Sequence, residues 1–369
     1  MKIDHVSLTY FKWENIPPTH YTVGSSNMVG STMMGLLTIR TDDGIEGNAF
    51  LGTAMVPATN DGEQIIRWLK PLLMGADPLE RERIHQAMRK RSRIATWRTI
   101  GAVDVALWDI AGKAAGMPLH RLMGTFRHAV PAYASSQILP DAKAYADEAL
   151  SFKARGWGAY KIHPPQKAKV DIGVAEAVRA AVGDDYTIMF DAAWCYGYED
   201  ALKVGFACQR LDYLWYEDPL TEEEIYRYVD LKKKLDIPIM ATEYPAGGLD
   251  TYAIWITERA TDYLRGDIPQ KGGLTTMLKT AHLAEAFGMK YEIHHSGNSL
   301  NNVANLHLAC AIRNCDWFEV LLPDASHKYG LVEDIVVDAK GLAHAPQKPG
   351  LGVEIDRALI KRMTEGVIE

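Results

Sequence analysis

The sequence predicts an α/β protein with two domains, a small α+β domain followed by a barrel of eight parallel strands. Three observations support this prediction. The length of 369 residues exceeds the ~250 residues that such a barrel needs and leaves enough chain for an appended domain. Short apolar segments recur at a nearly constant interval after residue 126. All but the first of these segments have an ionisable residue at or near their end.

Residues 1–125 are predicted to form the α+β domain. In the first part of this region, apolar and polar residues alternate around a Thr-Asp-Asp-Gly turn signal at 41–44, which is typical of a small antiparallel sheet. From Asp61 onwards the apolar residues follow the helical period, until Gly124 ends the pattern. Between the strands, residues 19–31 are polar and rich in Gly and Ser, which fits a mobile flap and a plain surface loop equally well.

Residues 126–323 are predicted to form the barrel. Successive strand ends lie 24 to 28 residues apart, which is the chain needed for one strand, one helix and two short loops. Helical stretches fit between them, for example at 142–154 and 276–287. Strands that alternate with helices predict a parallel sheet, and eight of them predict a closed barrel. The strands are predicted at 130–135, 159–163, 187–191, 213–217, 238–243, 263–267, 290–294 and 316–321.

The last segment, residues 324–369, is irregular and contains several Pro and Gly residues before a final helix that begins near Asp356. It is too short to fold alone. We therefore expect it to return to the first domain.

The composition excludes several classes of function. A formal charge of -7 and a pI near 6.0 argue against a nucleic-acid or anionic-membrane partner, because either would require a basic face. The first residues have no apolar signal-peptide core, so we expect a cytoplasmic protein. The four cysteines have no Cys-x-x-Cys spacing and are expected to be reduced.

The predicted strands bring ionisable side chains to one rim of the barrel, where the active sites of such barrels lie. Three carboxylates at the same height repel each other unless a cation lies between them. Asp191, Glu217 and Glu243 therefore predict a site for a hard divalent cation, with magnesium as the best candidate. Asp218, which precedes a proline, is interpreted as part of a turn. In chain order the rim residues are Lys161, His163, Asp191, Glu217, Glu243, Asp267, His294 and Glu319.

This order of residues resembles the mandelate racemase subgroup of the enolase superfamily. Residues 101–113 and the Gly-Met-Pro-Leu that follows at 116–119 are similar to the signature helix of that family, and the Gly-Leu-Gly-Val-Glu-Ile-Asp segment at 350–356 is similar to its C-terminal motif. The resemblance implies a modified TIM barrel, (β/α)7β, with an α+β capping domain built from the N-terminal segment and the C-terminal tail. It also implies that one barrel strand runs opposite to the others, and that the protein forms a homo-oligomer, from dimer to octamer.

The resemblance also implies a role for each rim residue. Asp191, Glu217 and Glu243 would bind one Mg²⁺ per subunit. Asp267 would orient His294 as a general acid or base. Glu319 would be a protonated carboxylic acid that donates a hydrogen bond to the substrate carboxylate, and the charge of Lys161 would lie near that carboxylate. These are the residues that we expect to act on the substrate: Lys161, His163, Asp267, His294 and Glu319.

Three positions leave alternatives open. The family usually has lysine where this chain has His163, so this residue is interpreted either as a base or as a hydrogen-bond donor to a substrate hydroxyl. His294 and His295 are adjacent, and strand alternation sends them to different sides; the family spacing favours His294 as the catalytic residue. Ala193 replaces an asparagine that is frequent in the family, which changes the pocket beside the metal.

Three functions are compatible with the sequence. The leading hypothesis is an acid-sugar (aldonate or aldarate) dehydratase that forms a 2-keto-3-deoxy acid. A racemase or epimerase of a 2-hydroxy acid is the alternative, because two bases on opposite faces serve that reaction. A non-catalytic binding protein is a third, remote hypothesis. The apolar residues near Met55 slightly favour a small or less polar carboxylate substrate.

Overall fold

The computed structural model describes residues 1–24, 28–243, 247–295 and 297–369. The central part of the predicted flap, residues 25–27, lies outside these ranges. The strands are β1 Ile3–Thr19, β2 Met28–Thr41, β3 Glu46–Leu51, β4 Ala129–Ser135, β5 Ala159–Ile162, β6 Thr187–Asp191, β7 Tyr216–Glu217, β8 Ile239–Ala241, β9 Tyr263–Gly266, β10 Lys290–Ile293, β11 Phe318–Leu321, β12 Leu342–His344 and β13 Thr364–Ile368.

Helices follow the first three strands and then alternate with the barrel strands. Residues Ile65–Leu69 form a π-helical turn that leads into the first of them. The α-helices are α1 Lys70–Leu73, α2 Arg81–Arg89, α3 Trp97–Ala114, α4 Leu119–Met123, α5 Ala142–Ala154, α6 Ala168–Val182, α7 Tyr198–Arg210, α8 Ile225–Lys232, α9 Asp250–Thr257, α10 Ile268–Lys271, α11 Leu274–Ala286, α12 Ser299–Ala311 and α13 Arg357–Met363. None of the described helices is long and apolar enough to cross a membrane.

An antiparallel sheet of four strands forms the cap, in the order β13-β1-β2-β3. The turn predicted at 41–44 joins β2 to β3, and Gly44 has a positive φ of 86° there. The C-terminal tail returns to this sheet, because β13 pairs with the outer edge of β1. Helix α3 packs closely on β3: a Cβ atom at Gly47 would lie 2.1 Å from the carbonyl oxygen of Ala106. The expectation that both ends of the chain build the cap is confirmed.

The eight predicted barrel strands are all present, and they form a sheet in the order β10-β9-β8-β7-β6-β5-β4-β11. The implied strand of opposite direction is wrong, because every hydrogen-bonded pair along this order is parallel. The physical reason is that a helix follows each strand from β4 to β10 and returns the chain to the same end of the barrel. The antiparallel neighbour is β12, which pairs with β4 outside this order. The fold is the predicted (β/α)7β barrel.

Candidate active site

A pocket of about 220 Å³ lies where the cap covers the carboxyl ends of the barrel strands. The barrel contributes His163, Asp191, Glu243 and His294 to its wall. The cap contributes residues from two loops, near Tyr21 and near Met55. The barrel side of the pocket is therefore lined by acidic and basic side chains, and the cap side by both polar and apolar side chains.

Lys161 is fully buried on β5, and its ammonium group contacts three carboxylates. Its Nζ atom lies 2.8 Å from Asp191 Oδ2, 2.9 Å from Glu217 Oε2 and 2.8 Å from Glu319 Oε1. Burial and Arg265 oppose the charge on Lys161, but the three carboxylates outweigh them and raise its pKa well above the usual value. Lys161 is therefore a permanent cation that joins β5 to three other strands.

A second buried cation, Arg265 on β9, was not identified from the sequence. Its Nε atom lies 2.6 Å from Glu217 Oε1 and 3.3 Å from Glu243 Oε2, and its Nη2 atom contacts Glu319 Oε2. The side chain has no exposed surface. A signal existed: Arg265 precedes Asp267 by two residues, and residues two apart on a strand point to the same side. The acid cluster thus has two fixed counterions rather than one.

The structure brings two of the three predicted metal ligands together directly. Carboxylate oxygens of Glu217, Asp218 and Glu243 all lie within 4.8 Å of one another, and all three residues are buried. Asp191 pairs with Glu217 across neighbouring strands, but its Oδ2 atom faces Lys161 and lies 3.1 Å from His163 Nε2. Such a donor set consists of carboxylate oxygens, which suits a hard cation.

Asp218 has a larger place in the site than its interpretation as a turn residue implied. Its φ of 43° fits a turn, but its side chain is only 1% exposed. Within the described part of the chain, neither carboxylate oxygen has a hydrogen-bond partner. Burial, together with the charges of Glu222 and Glu243, raises the pKa of Asp218 well above its usual value. A short polar side chain before a proline gave no signal of this burial in the sequence.

His294 and Asp267 lie in contact, as expected for a dyad. The Nδ1 atom of His294 lies 3.0 Å from Asp267 Oδ2, and Asn305 donates a hydrogen bond to the other oxygen of this carboxylate. Because a carboxylate accepts, Nδ1 carries the proton and Nε2 points away from Asp267, 3.2 Å from Glu243 Oε1. Burial favours the neutral ring, but Glu243 and Asp267 outweigh it and raise the pKa of His294 to about 9. The imidazole is charged at neutral pH.

The adjacent His295 faces the other side of the strand, as alternation predicts. It packs against the ring of Phe318 with centroids 4.0 Å apart, and it lines a separate cavity of about 20 Å³. His294, in contrast, lines the main pocket.

His163 is held in one orientation by the backbone. Its Nδ1 atom donates to the carbonyl oxygen of Ser136 at 2.6 Å, because a carbonyl can only accept. The ring of Tyr21 packs edge-on against it at 5.3 Å. Nε2 lies 3.1 Å from Asp191 Oδ2, and because a carboxylate oxygen can only accept, this contact is a hydrogen bond only when Nε2 carries a proton as well.

The expectation that Glu319 is protonated is wrong in this structure. The carboxylate lies between Lys161 and Arg265 and contacts both. Burial opposes its charge, but these two cations hold the pKa of Glu319 well below its usual range. Glu319 is thus an ionised acceptor rather than a donor, and the sequence prediction failed because it did not include Arg265.

Comparison with known proteins gives matches over most of the chain. Residues 6–124 match the N-terminal domain of mandelate racemase / muconate lactonizing enzyme, and residues 144–359 match the enolase C-terminal domain-like family. The crystal structure of D-glucarate dehydratase from Agrobacterium tumefaciens complexed with magnesium has a TM-score of 0.90 and 34% identity, over 99% of this chain and 100% of that chain.

Two relatives of different activity are similar in sequence. Arabinonate dehydratase from Saccharolobus solfataricus is 29% identical over 328 residues, which are 86% of this chain and 87% of the relative. N-succinyl-L-Arg/Lys racemase from Bacillus cereus is 26% identical over 338 residues, which are 89% of each chain. The family matches, together with the rim residues described above, show that this chain belongs to the mandelate racemase / muconate lactonizing enzyme family of the enolase superfamily.

Proposed function

We propose that this protein is a magnesium-dependent enzyme that removes the proton alpha to a carboxylate, and that it dehydrates an acid sugar to a 2-keto-3-deoxy acid. The observation that carries the proposal is His294: a charged imidazole, oriented by Asp267, that faces the pocket beside the acid cluster. Arabinonate dehydratase and D-glucarate dehydratase, to which the chain is similar, support the choice of reaction.

Asp191, Glu217 and Glu243 would hold the magnesium ion. They fit this role because Asp191 and Glu217 end β6 and β7, Glu243 lies two residues after β8, and all three are buried and offer only oxygen donors. When bound, the ion stabilises the negative charge that develops on the substrate carboxylate as the alpha proton leaves. Lys161 adds a fixed positive charge at the same end of the pocket.

His163 is the residue that we assign as the base. The Ser136 carbonyl fixes a proton on Nδ1, so Nε2 at the pocket wall is the nitrogen that would take up the C2 proton when it is not donating to Asp191. Lys161 does not suit this role, because its three carboxylate partners keep it protonated. Of the two interpretations that the sequence left open, we propose the base, because Nδ1 is bound to Ser136 and Nε2 is the nitrogen at the pocket.

His294 is the acid that completes the reaction. After the C2 proton moves to His163, the 3-hydroxyl must leave as water, and it needs a proton to do so. The Nε2 proton of the charged His294 supplies it, while Asp267 keeps the ring oriented. The enol that remains converts to the 2-keto-3-deoxy acid.

A racemase or epimerase is the second candidate. The presence of both His163 and His294 in one pocket favours it, because removal of a proton on one face and its return on the other need two such groups. The similarity to N-succinyl-L-Arg/Lys racemase agrees with this alternative.

The proposal is tested by incubating the protein and Mg²⁺ with a library of aldonic and aldaric acids and assaying 2-keto acid formation. We expect a substrate for wild type and no product with His294→Asn, which retains a donor toward Asp267 but lacks the Nε2 proton. His295→Asn is the matched control, because this neighbour lies outside the main pocket and its replacement should leave turnover intact. No product from any member of the library would contradict the dehydratase; C2 proton exchange with simple 2-hydroxy acids would then favour the racemase, and its absence a binding protein.

A further inference from the structure

The buried Arg265 has no role in the proposed reaction. Its guanidinium group nevertheless contacts three carboxylates of the site, more than a single structural ion pair would involve. Nε faces Glu217 and Glu243, and Nη2 faces Glu319. Nη2 also donates to the hydroxyl of Tyr133 at 3.3 Å. One planar group therefore joins four neighbouring side chains of the barrel interior.

We propose that Arg265 is a positioning residue, which fixes the carboxylates of Glu217, Glu243 and Glu319 relative to each other before metal and substrate bind. The inference rests on the proposed function, because it assigns Glu217 and Glu243 to the metal. Three carboxylates that share one buried cluster repel each other. A rigid, forked guanidinium group between them offsets that repulsion and holds each carboxylate by a directed hydrogen bond.

The geometry separates Arg265 from Lys161. The ammonium of Lys161 contacts Asp191, Glu217 and Glu319, but no contact joins it to Glu243. Of the two cations, Arg265 is thus the one that contacts Glu243 and Glu217 together. A lysine at position 265 would keep the charge but present a single compact group, which does not reproduce the fork.

Arg265 has two opposing effects on metal binding, and the measured Mg²⁺ affinity shows which of them is larger. A fixed cation repels a divalent ion, so a pure countercharge would weaken Mg²⁺ binding and its removal would tighten it. A group that orients ligands strengthens binding, and loss of such a neighbour of the ligands typically costs about 10- to 100-fold in metal affinity. We expect the orienting effect to dominate.

The experiment measures Mg²⁺ dissociation constants by calorimetry, without substrate, for wild type, Arg265→Gln and Arg265→Lys. We expect both variants to bind more weakly, by about 10- to 100-fold for the glutamine and less for the lysine. With an identified substrate, the lysine variant should lose kcat more than it raises KM, because the acids are misplaced rather than absent. If the glutamine variant does not fold, the lysine variant decides.

Arg179→Lys is the matched control. Arg179 is also a largely buried arginine, but it donates to backbone carbonyls of Leu211, Gly183, Tyr186 and Asp212, away from the pocket. Its replacement should lower the melting temperature and leave the Mg²⁺ dissociation constant unchanged. Unchanged or tighter binding in the Arg265 variants, or equal weakening in Arg179→Lys, would overturn the proposal. Because metal affinity is measured without substrate, this result does not depend on whether the dehydratase assignment holds.

Discussion

At the scale of single residues, the site depends on how neighbours place the proton on each histidine. Asp267 accepts a hydrogen bond from the Nδ1–H group of His294 and favours the charged ring. Ser136 offers the Nδ1 atom of His163 a neutral carbonyl oxygen, and Asp191 Oδ2 lies 3.1 Å from its Nε2. The proposed mechanism gives these two residues of the same type opposite tasks, His294 as the acid and His163 as the base.

The variant His163→Asn tests the role of the base. Asparagine retains a donor near Nδ1 and can keep the Ser136 hydrogen bond, but it lacks Nε2. We expect turnover of the acid-sugar substrate to fall by about 10²- to 10⁴-fold, the usual contribution of a general base. Steady-state kinetics at saturating substrate measure this change. Turnover within a few fold of wild type would show that His163 only binds substrate.

At the scale of elements, the close contact between α3 and β3 fixes the position of this helix on the sheet of the cap. Gly47 lies where the helix backbone approaches the strand, and a methyl group there would overlap the carbonyl oxygen of Ala106. Gly173, on the exposed face of α6, has nothing within 4 Å of an added Cβ atom. The same substitution should therefore have opposite effects at the two positions.

Denaturant unfolding compares Gly47→Ala with Gly173→Ala. We expect Gly47→Ala to lower the free energy of unfolding by about 1–3 kcal/mol or more, because the backbone must move. Gly173→Ala should raise it by about 0.5–1 kcal/mol, because alanine restricts the unfolded chain and suits a helix interior. A neutral result at Gly47 would mean that the helix and strand are farther apart than described.

The elements were more predictable than the contacts between them. The barrel strands could be predicted because each is a short apolar segment and all but the first have an ionisable residue at or near the end, and the helix α5 was predicted with its observed bounds of Ala142–Ala154. The role of Arg265 was missed, since a charged residue inside an apolar strand has meaning only when its partners are known. The predicted protonation state of Glu319 was wrong for the same reason.

At the scale of the whole molecule, a chain of three histidines joins the cap, the barrel and the C-terminal tail. His307 on α12 donates through Nε2 to the carbonyl oxygen of Leu351 in the tail, so its Nδ1 atom accepts, and the backbone N–H of His120 on α4 donates to it at 3.2 Å. His120 Nε2 in turn lies 3.3 Å from His128 Nδ1, within hydrogen-bond distance. Burial lowers the pKa of both His120 and His307 to about 4.

This chain predicts a loss of stability in acid. Unfolded histidine has a pKa near 6.5, so between about pH 6.5 and pH 4 the unfolded chain binds protons that folded His120 and His307 do not. Their contribution is complete above pH 6.5 and is lost as the pH falls toward 4. In His307→Gln, which keeps a donor toward Leu351 but does not titrate, the unfolding free energy should depend less steeply on pH over this range. The exposed His282→Gln is the control, and equal slopes in all three proteins would contradict the prediction.

The division of labour between the two histidines is the central claim, and solvent exchange tests it most directly. The substrate found in the library is incubated with Mg²⁺ and His294→Asn in deuterium oxide, and the C2 proton is followed by NMR. We predict that deuterium enters at C2 while no 2-keto acid forms, because His163 still removes the proton but the 3-hydroxyl cannot leave. His163→Asn should show neither exchange nor product. Exchange that is lost in His294→Asn and retained in His163→Asn would contradict the account, because His294 would then be the base.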